Sequence, residues 1–152
     1  MKRNICIAVV GCLFAAALFG QSAQRLDQIL EAKEATFGQA AYLMLTAGDS
    51  ISDTADFKTA FDELKNVNPK WIPDSVSEAD IIPLGTYALL LMQTFDIKGG
   101  LMYRMYPCAR YAYRDLRYLA VIQGKTDPSD SVTGVSMLQM FGRIETVQGG
   151  EK

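Results

Sequence analysis

Apolar residues recur every three or four positions along most of the chain, and glycine or proline interrupts this pattern at intervals. Such spacing is typical of amphipathic helices, and no alternating apolar run reaches the length of a strand. The segments predicted as helices are Gln24–Ala47, Asp53–Asn66, Pro83–Phe95, Ala109–Val121 and Thr133–Ile144, with a short helical turn at Leu101–Tyr106. The sequence therefore predicts an all-α fold.

Polar residues and prolines mark where these helices are expected to begin. Asp53 or Thr54 is expected to cap the second helix and Thr133 the last one, because their side chains can accept from the first free N–H groups. Pro83 suits the first turn of the third helix, where its missing N–H has no effect on the hydrogen bonding.

Composition bounds the size of the domain and excludes several kinds of chemistry. The 152 residues, 49% of them hydrophobic, suit a single domain with a real core. The chain contains no histidine, which excludes Ser-His-Asp and Cys-His catalysis, histidine-ligated metals and a histidine pH switch. The formal net charge of −2 gives no general attraction for nucleic acid. We expect no nucleic-acid partner, no metal and no small-molecule cofactor.

The N-terminal segment has the layout of a secretory signal. Lys2 and Arg3 precede the apolar run Ile5–Phe19, and small residues follow up to Ala23. This pattern predicts a signal peptide at residues 1–23, a helical domain at 24–147 and a flexible tail at 148–152. We therefore expect an exported protein, periplasmic or associated with the cell envelope.

Two alternatives for this segment and two for the remaining cysteine stay open. The apolar run could be an uncleaved anchor, although its length of about 15 residues is below the roughly 20 that span a bilayer. Val9–Cys12 resembles a lipobox, which makes a lipoprotein modified at Cys12 the other alternative. Cys108 is left alone after cleavage; burial is favoured for it, and an intermolecular disulfide in a homo-oligomer is the alternative.

Two elements repeat along the chain. Phe37–Met44, Leu84–Leu91 and Thr133–Met140 align without gaps, each with glycine second and an apolar run four residues later. Ala60–Lys65 resembles Ala112–Arg117 in the same way. Glycine in the first turn of a helix permits close approach of another backbone. The repeats predict a compact bundle of helix-loop-helix units that bury their apolar faces against one another.

The last of these units resembles an S-layer homology repeat. Such repeats pair a helix of the form W-A-x-x-x-I-x-x-L with a loop rich in Gly, Asp and Pro, followed by a helix that opens with T-R-A-E. The matching segments are Tyr111–Leu119, Gly124–Pro128 and Val132–Ser136. The resemblance implies a three-lobed helical module with pseudo-threefold arrangement that holds cell-wall polymers at the bacterial surface.

The chain departs from that family at the motif that binds glycan. Gly134 stands where the motif has arginine, with Gly38 and Gly85 aligned to it, and Ser136 stands where the motif has glutamate. The resemblance therefore implies the fold of the family and no binding residues from its T-R-A-E motif.

A run of arginines and tyrosines is the strongest candidate for a binding surface. Arg110, Arg114 and Arg117 are spaced to lie on one helical face, and forked guanidinium groups beside aromatic rings suit carboxylates or anionic glycans. An ordinary solvated basic face is the alternative. The residues predicted to bind are Arg104, Arg110, Tyr111, Arg114, Arg117, Tyr118 and, in a loop, Trp71.

These observations predict a non-catalytic exported protein that binds or scaffolds at the cell wall or in the periplasm. Its partner would be a cell-wall polymer or, in the alternative, an envelope protein, with the chain serving as an interaction subunit of an envelope or motility assembly. An enzyme acting on cell-wall glycan is the weaker alternative, because it needs two opposed carboxylates. Asp74 or Glu78 together with Asp127 are the only pair that the sequence suggests for it.

Overall fold

The computed structural model describes residues 23–67, 70 and 72–149, and all of the helical segments expected from the sequence lie in this part. The helices are α1 (residues 23–31), α2 (Phe37–Ala47), α3 (Phe57–Val67), α4 (Leu84–Thr94), α5 (Leu101–Met105), α6 (Ala109–Tyr118) and α7 (Gly134–Gly149). Extended pairing in the described residues consists of two isolated bridges, Thr36 with Ile81 and Pro83 with Ser131. The predicted all-α fold is confirmed.

The prediction of one continuous helix over Gln24–Ala47 is wrong, since the chain leaves helical geometry between residues 31 and 37. Thr36 and Gln39 form a capping box there. The Thr36 Oγ1 accepts from the Gln39 N–H at 3.4 Å, and the Gln39 Oε1 accepts from the Thr36 N–H at 3.1 Å. These side chains satisfy backbone groups at a new helix start, so the break is stabilised locally.

Three other helix ends differ from the prediction. Asp56, and not Asp53 or Thr54, caps α3, because its Oδ1 accepts from the Thr59 N–H at 2.7 Å. Helix α6 ends at Tyr118, three residues before the predicted end. Helix α7 continues to Gly149, past the expected start of the flexible tail, and residues 150–152 lie outside the described part.

The helices pair into two similar hairpins, α2 with α3 and α4 with α6. Helix α3 buries Ala60, Phe61 and Leu64, and α6 buries the three residues at matching positions, Ala112, Tyr113 and Leu116. Burial of the same face in both hairpins agrees with the repeat that the sequence predicts. Helix α5 is an insertion in the second hairpin and buries only Tyr103.

Glycines 38 and 85 have the same surroundings in the two hairpins. A Cβ atom at Gly38 would lie 3.1 Å from the Glu78 carbonyl oxygen, and one at Gly85 would lie 3.1 Å from that of Pro128. Both glycines donate their N–H to that same oxygen, at 2.9 and 2.8 Å. Glycine is thus needed at both places for close approach of the following loop.

Gly134 does not match these two glycines, so the third segment of the predicted alignment is one residue out of register. Thr133 caps α7 as Thr36 caps α2, since its Oγ1 accepts from the Ser136 N–H at 3.2 Å. Gly134 is therefore the first helical residue, the place that Phe37 and Leu84 occupy in α2 and α4. Phe37 and Leu84, and not Gly38 and Gly85, are therefore the structural counterparts of Gly134.

The three segments that precede α2, α4 and α7 meet at the centre of the domain. Ala35, Ile82 and Val132 each lie directly before a helix cap, and all three are buried. The Ile82 N–H donates to the Ala35 carbonyl at 3.0 Å, and the Ala35 N–H donates to the Val132 carbonyl at 2.6 Å. This junction fixes the helix starts relative to one another.

Each of these helices also begins against the segment that leads into the next one. The first helical N–H groups donate to loop carbonyls as follows: Phe37 to Asp80 at 3.0 Å, Leu84 to Asp130 at 2.8 Å and Gly134 to Ala32 at 2.9 Å. Because the third contact returns to the segment before α2, the contacts close into a ring.

Candidate functional site

Helix α6 carries the predicted basic face and holds it at the surface. Cys108 precedes the helix in extended geometry, and Ala109 lies close to Gly85 of α4. Burial of Ala112 and Leu116 against the core turns the opposite side of α6 outward. Arg110, Arg114 and Arg117 are all exposed on this side.

The three arginines are largely free of internal partners. The Arg114 Nε lies 3.8 Å from the Asp115 Oδ1, a long contact, and its guanidinium lies 5.2 Å from the centre of the Tyr111 ring. Arg117 donates to the Tyr113 hydroxyl at 3.4 Å. Arg110 makes no ion pair or hydrogen bond within the part of the chain that the structure describes. The face can therefore pair with an external anion without first breaking strong contacts.

A groove of about 710 Å³ lies beside this face. Its lining residues are Arg110, Tyr111, Tyr113, Arg114, Asp127 and Pro128. One wall is the exposed side of α6, and the other is the turn that follows this helix. The groove thus combines two guanidinium groups, two aromatic rings and one carboxylate.

Tyr113 fixes the turn against the helix. Its ring is buried, and its hydroxyl contacts both the carbonyl oxygen and the Oγ1 of Thr126. Pro128 packs on Gly85 at the far end of the turn. Because both ends of the turn are held, the groove has a defined shape without any ligand.

Asp127 remains ionised at the rim of the groove. Its Oδ1 accepts from the Ser129 hydroxyl at 2.6 Å and from the Ser129 N–H at 2.9 Å, and these two bonds hold the pKa of the carboxyl below its ordinary value. Its Oδ2 has no hydrogen-bond partner among the described residues. One carboxylate oxygen is therefore available to a donor in the groove.

Of the predicted binding residues, the groove brings together Arg110, Tyr111 and Arg114. Arg117 lies next to them through Tyr113. Arg104 is exposed on α5, and Tyr118 is 91% exposed at the end of α6, so neither lines the groove. Trp71 lies outside the described residues, as does the whole segment 1–22.

Sequence reasoning did not assign Tyr113, Asp127 and Pro128 to this site. In the structure, the loop after each hairpin rests on the glycine of the same hairpin, and this contact brings Asp127 and Pro128 to the groove. Asp127 and Pro128 are distant in the sequence from Arg110 and Tyr111, so helical periodicity does not connect them with this groove.

A second groove, of about 420 Å³, lies between the start of α7 and the loop after α6. Thr133, Ser136 and Arg143 contribute to its lining, and Asp130 is its single carboxylate. The groove beside α6 also has only one carboxylate, and Asp74 lies fully exposed next to Lys65. Neither groove holds the opposed pair that hydrolysis of a glycosidic bond uses.

The described residues contain no group of three or more Cys, Asp or Glu side chains placed to hold a metal ion. None of the helices in this part is long and apolar enough to cross a membrane. Comparison with known proteins finds no family model, curated protein or solved structure that matches the chain.

Proposed function

We propose that the chain is a non-catalytic exported protein that binds the cell wall or scaffolds at it, with the groove beside α6 as its binding site. The observation that carries this proposal is the pair Arg110 and Arg114, two exposed guanidinium groups on one wall of a preformed groove. Guanidinium groups pair with carboxylates through two parallel hydrogen bonds, and tyrosine rings stack on sugars or on the guanidinium itself. A wall polymer that carries carboxylate groups fits this chemistry.

The N-terminal segment, whose sequence predicts export, supports the same proposal. Lys2, Arg3 and the apolar run that follows are typical of a secretory signal, which would deliver the domain to the envelope. The resemblance of Tyr111–Ser136 to an S-layer homology repeat points to the same compartment.

Co-sedimentation with purified sacculi tests the proposal. We expect the protein to sediment with sacculi at low salt and less so at moderate salt, because the contact is electrostatic. The variant Arg110→Ala, Arg114→Ala, Arg117→Ala should stay in the supernatant. A control with the same loss of charge, Lys33→Ala, Lys58→Ala, Lys98→Ala, should sediment like the unmodified protein. Equal sedimentation of the two variants would contradict a binding role for α6.

A second candidate function is an interaction subunit of an envelope or motility assembly. The observation in its favour is the apolar surface of α5, where Leu101 is 69%, Met105 59% and Tyr106 65% exposed. Exposed Met and Tyr side chains beside Arg104 are typical of protein interfaces. Crosslinking in the envelope should then capture a stable partner, and the double variant Leu101→Ser, Met105→Ser should lose it. Val67→Ser, a matching change at an exposed apolar residue of α3, should retain it.

A further inference from the structure

Because the two hairpins are similar, the surface of α6 can be compared with the equivalent surface of α3. The turns beside them have the same geometry, because the N–H of Ser77 donates to Asp80 and the N–H of Asp127 donates to Asp130, both at 2.7 Å. From the matched burial on α3 and α6, Arg110 corresponds to Lys58 and Arg114 to Asp62. In the turns, Asp127 corresponds to Ser77.

The counterpart surface on α3 carries an ion pair and one further carboxylate, because Glu78 stands where the groove beside α6 has Pro128. Lys58 and Asp62 form an ion pair with a distance of 3.4 Å between Nζ and Oδ2, and Ser77 adds no charge. Charges at these positions of a helix are neighbours one turn apart, so each satisfies the other. On this surface the cation that corresponds to Arg110 is already paired with a carboxylate of its own helix.

The surface on α6 has the opposite arrangement. Arg110 and Arg114 are two cations one helical turn apart, which repel each other without a ligand. The carboxylate of Asp127 lines the same groove but lies beyond ion-pair distance of both guanidinium groups. Positive and negative charges thus face one groove without neutralising each other.

We infer that the groove beside α6 takes a short peptide segment that carries both a carboxylate and an ammonium group. The carboxylate would bind between Arg110 and Arg114, and the ammonium group would bind the free Oδ2 of Asp127. The ring of Tyr111 and the face of Pro128 would contact the apolar atoms between these two groups. This inference rests on the proposed function and specifies the part of the wall that the groove recognises, namely its peptide.

The position of Asp127 is the reason to prefer such a ligand over a purely anionic one. Ser129 holds the carboxylate of Asp127 by two hydrogen bonds, so it cannot easily turn away from an anion in the groove. A polyanion would gain from the arginines and be repelled by Asp127, whereas a ligand with both charges gains from each wall.

Binding of a defined peptide measures this preference. The probe is Ala-Glu-Lys-Ala with free termini, compared with the same peptide after acetylation of both amines. We expect acetylation to weaken binding to the unmodified protein by about threefold to tenfold, the range of an exposed to partly buried ion pair. In the variant Asp127→Asn, the free peptide should bind as weakly as the acetylated one. The amide oxygen of asparagine can still accept from Ser129, so the turn keeps its shape.

The control variant is Asp62→Asn, which removes one carboxylate at the counterpart surface of α3. It should bind both peptides like the unmodified protein. If acetylation has the same effect on the unmodified protein and on Asp127→Asn, or if neither peptide binds, the inference is wrong. Sacculus binding that depends on the arginines would still support the proposed function in that case. If the unmodified protein did not bind sacculi, both the proposed function and this inference would be wrong.

Discussion

Ala120 has a backbone geometry that alanine rarely adopts, with a φ of 57° directly after the last turn of α6. Asp49 and Asp96 have the same geometry after α2 and α4. At each place the following N–H bonds back into the helix, as Val121 does to the Leu116 carbonyl at 2.9 Å. This is the helix ending in which glycine is normally preferred, because a Cβ atom is unfavourable at positive φ.

Replacing Ala120 by glycine should therefore stabilise the protein. We expect the free energy of unfolding to rise by about 0.5–1 kcal/mol, since the relief of strain exceeds the added flexibility of glycine in the unfolded chain. Urea denaturation followed by circular dichroism measures the change. Ala47→Gly, at the helical end of α2, serves as the control and should lower the free energy of unfolding. A loss of stability in Ala120→Gly would contradict the strain argument.

Ionisation of the Tyr103 hydroxyl makes the stability of the protein depend on pH in the alkaline range. Its side chain is buried and its hydroxyl accepts from the Gln93 amide at 2.6 Å. Burial raises the pKa of Tyr103 to about 12 from 10.0, with a smaller contribution from the charge of Asp115, although the Gln93 hydrogen bond acts in the opposite direction. Above pH 10 the unfolded chain loses this proton first, which stabilises the unfolded state relative to the folded one.

The free energy of unfolding should thus fall between pH 10 and about 12, and the variant Tyr103→Phe should fall less steeply. Some decline should remain in the variant, because burial also raises the pKa of Tyr87. Urea denaturation at a series of alkaline pH values tests this expectation. Parallel declines in the two proteins would show that ionisation of Tyr103 does not contribute.

At the scale of the element, two of the three glycines of α7 have opposite requirements. A Cβ atom at Gly134 would overlap the carbonyl oxygen of Ile29, whereas one at Gly142 would meet no atom within 4 Å. Gly142 is exposed in the helix interior. Glycine is thus required at the start of α7 and is unfavourable in its middle.

Alanine at these two positions should have effects of opposite sign. We expect Gly134→Ala to lower the free energy of unfolding by about 3 kcal/mol, because a backbone carbonyl must move. Gly142→Ala should raise it by about 0.5–1 kcal/mol through the better helix propensity of alanine. Thermal unfolding of the two variants provides the comparison. A stable Gly134→Ala variant would mean that α1 does not pack on α7 as the structure has it.

The helices themselves could be predicted from the sequence because their signals are local. Apolar spacing placed α3, α4, α6 and α7, and Thr133 marked the start of the last one. The break before α2 was missed, although its capping box occupies only Thr36 and Gln39, because the apolar spacing continues across it. Local hydrogen bonds therefore set the start of α2 at a place that the hydrophobic pattern does not indicate.

Only part of the candidate site could be predicted from the sequence. Arg110, Tyr111 and Arg114 share one helix, so helical periodicity brings them together. Asp127 and Pro128 reach the same groove through the contact of their loop with Gly85, which depends on tertiary structure. The spacing of residues along the chain does not predict such a contact.

At the scale of the whole molecule, the ring of contacts between helix starts and loops should make the domain unfold as one unit. The amides of Phe37, Leu84 and Gly134 each donate to a segment that belongs to a different part of the chain. Opening any one of them separates two units that share the central junction of Ala35, Ile82 and Val132. In a small domain, such shared contacts favour cooperative unfolding.

Native-state hydrogen exchange distinguishes this ring from three independent contacts. We expect the amides of Phe37, Leu84 and Gly134 to exchange with the same opening free energy as Leu90, a fully buried residue of α4. The opening energies should also respond equally to denaturant, because global unfolding exposes the whole core. If Gly134 exchanged with a smaller opening energy than Leu84, the ring would open at α1 while the two hairpins stayed folded. The closing contact would then be an attachment of α1 and α7, and the stable unit would be the pair of hairpins.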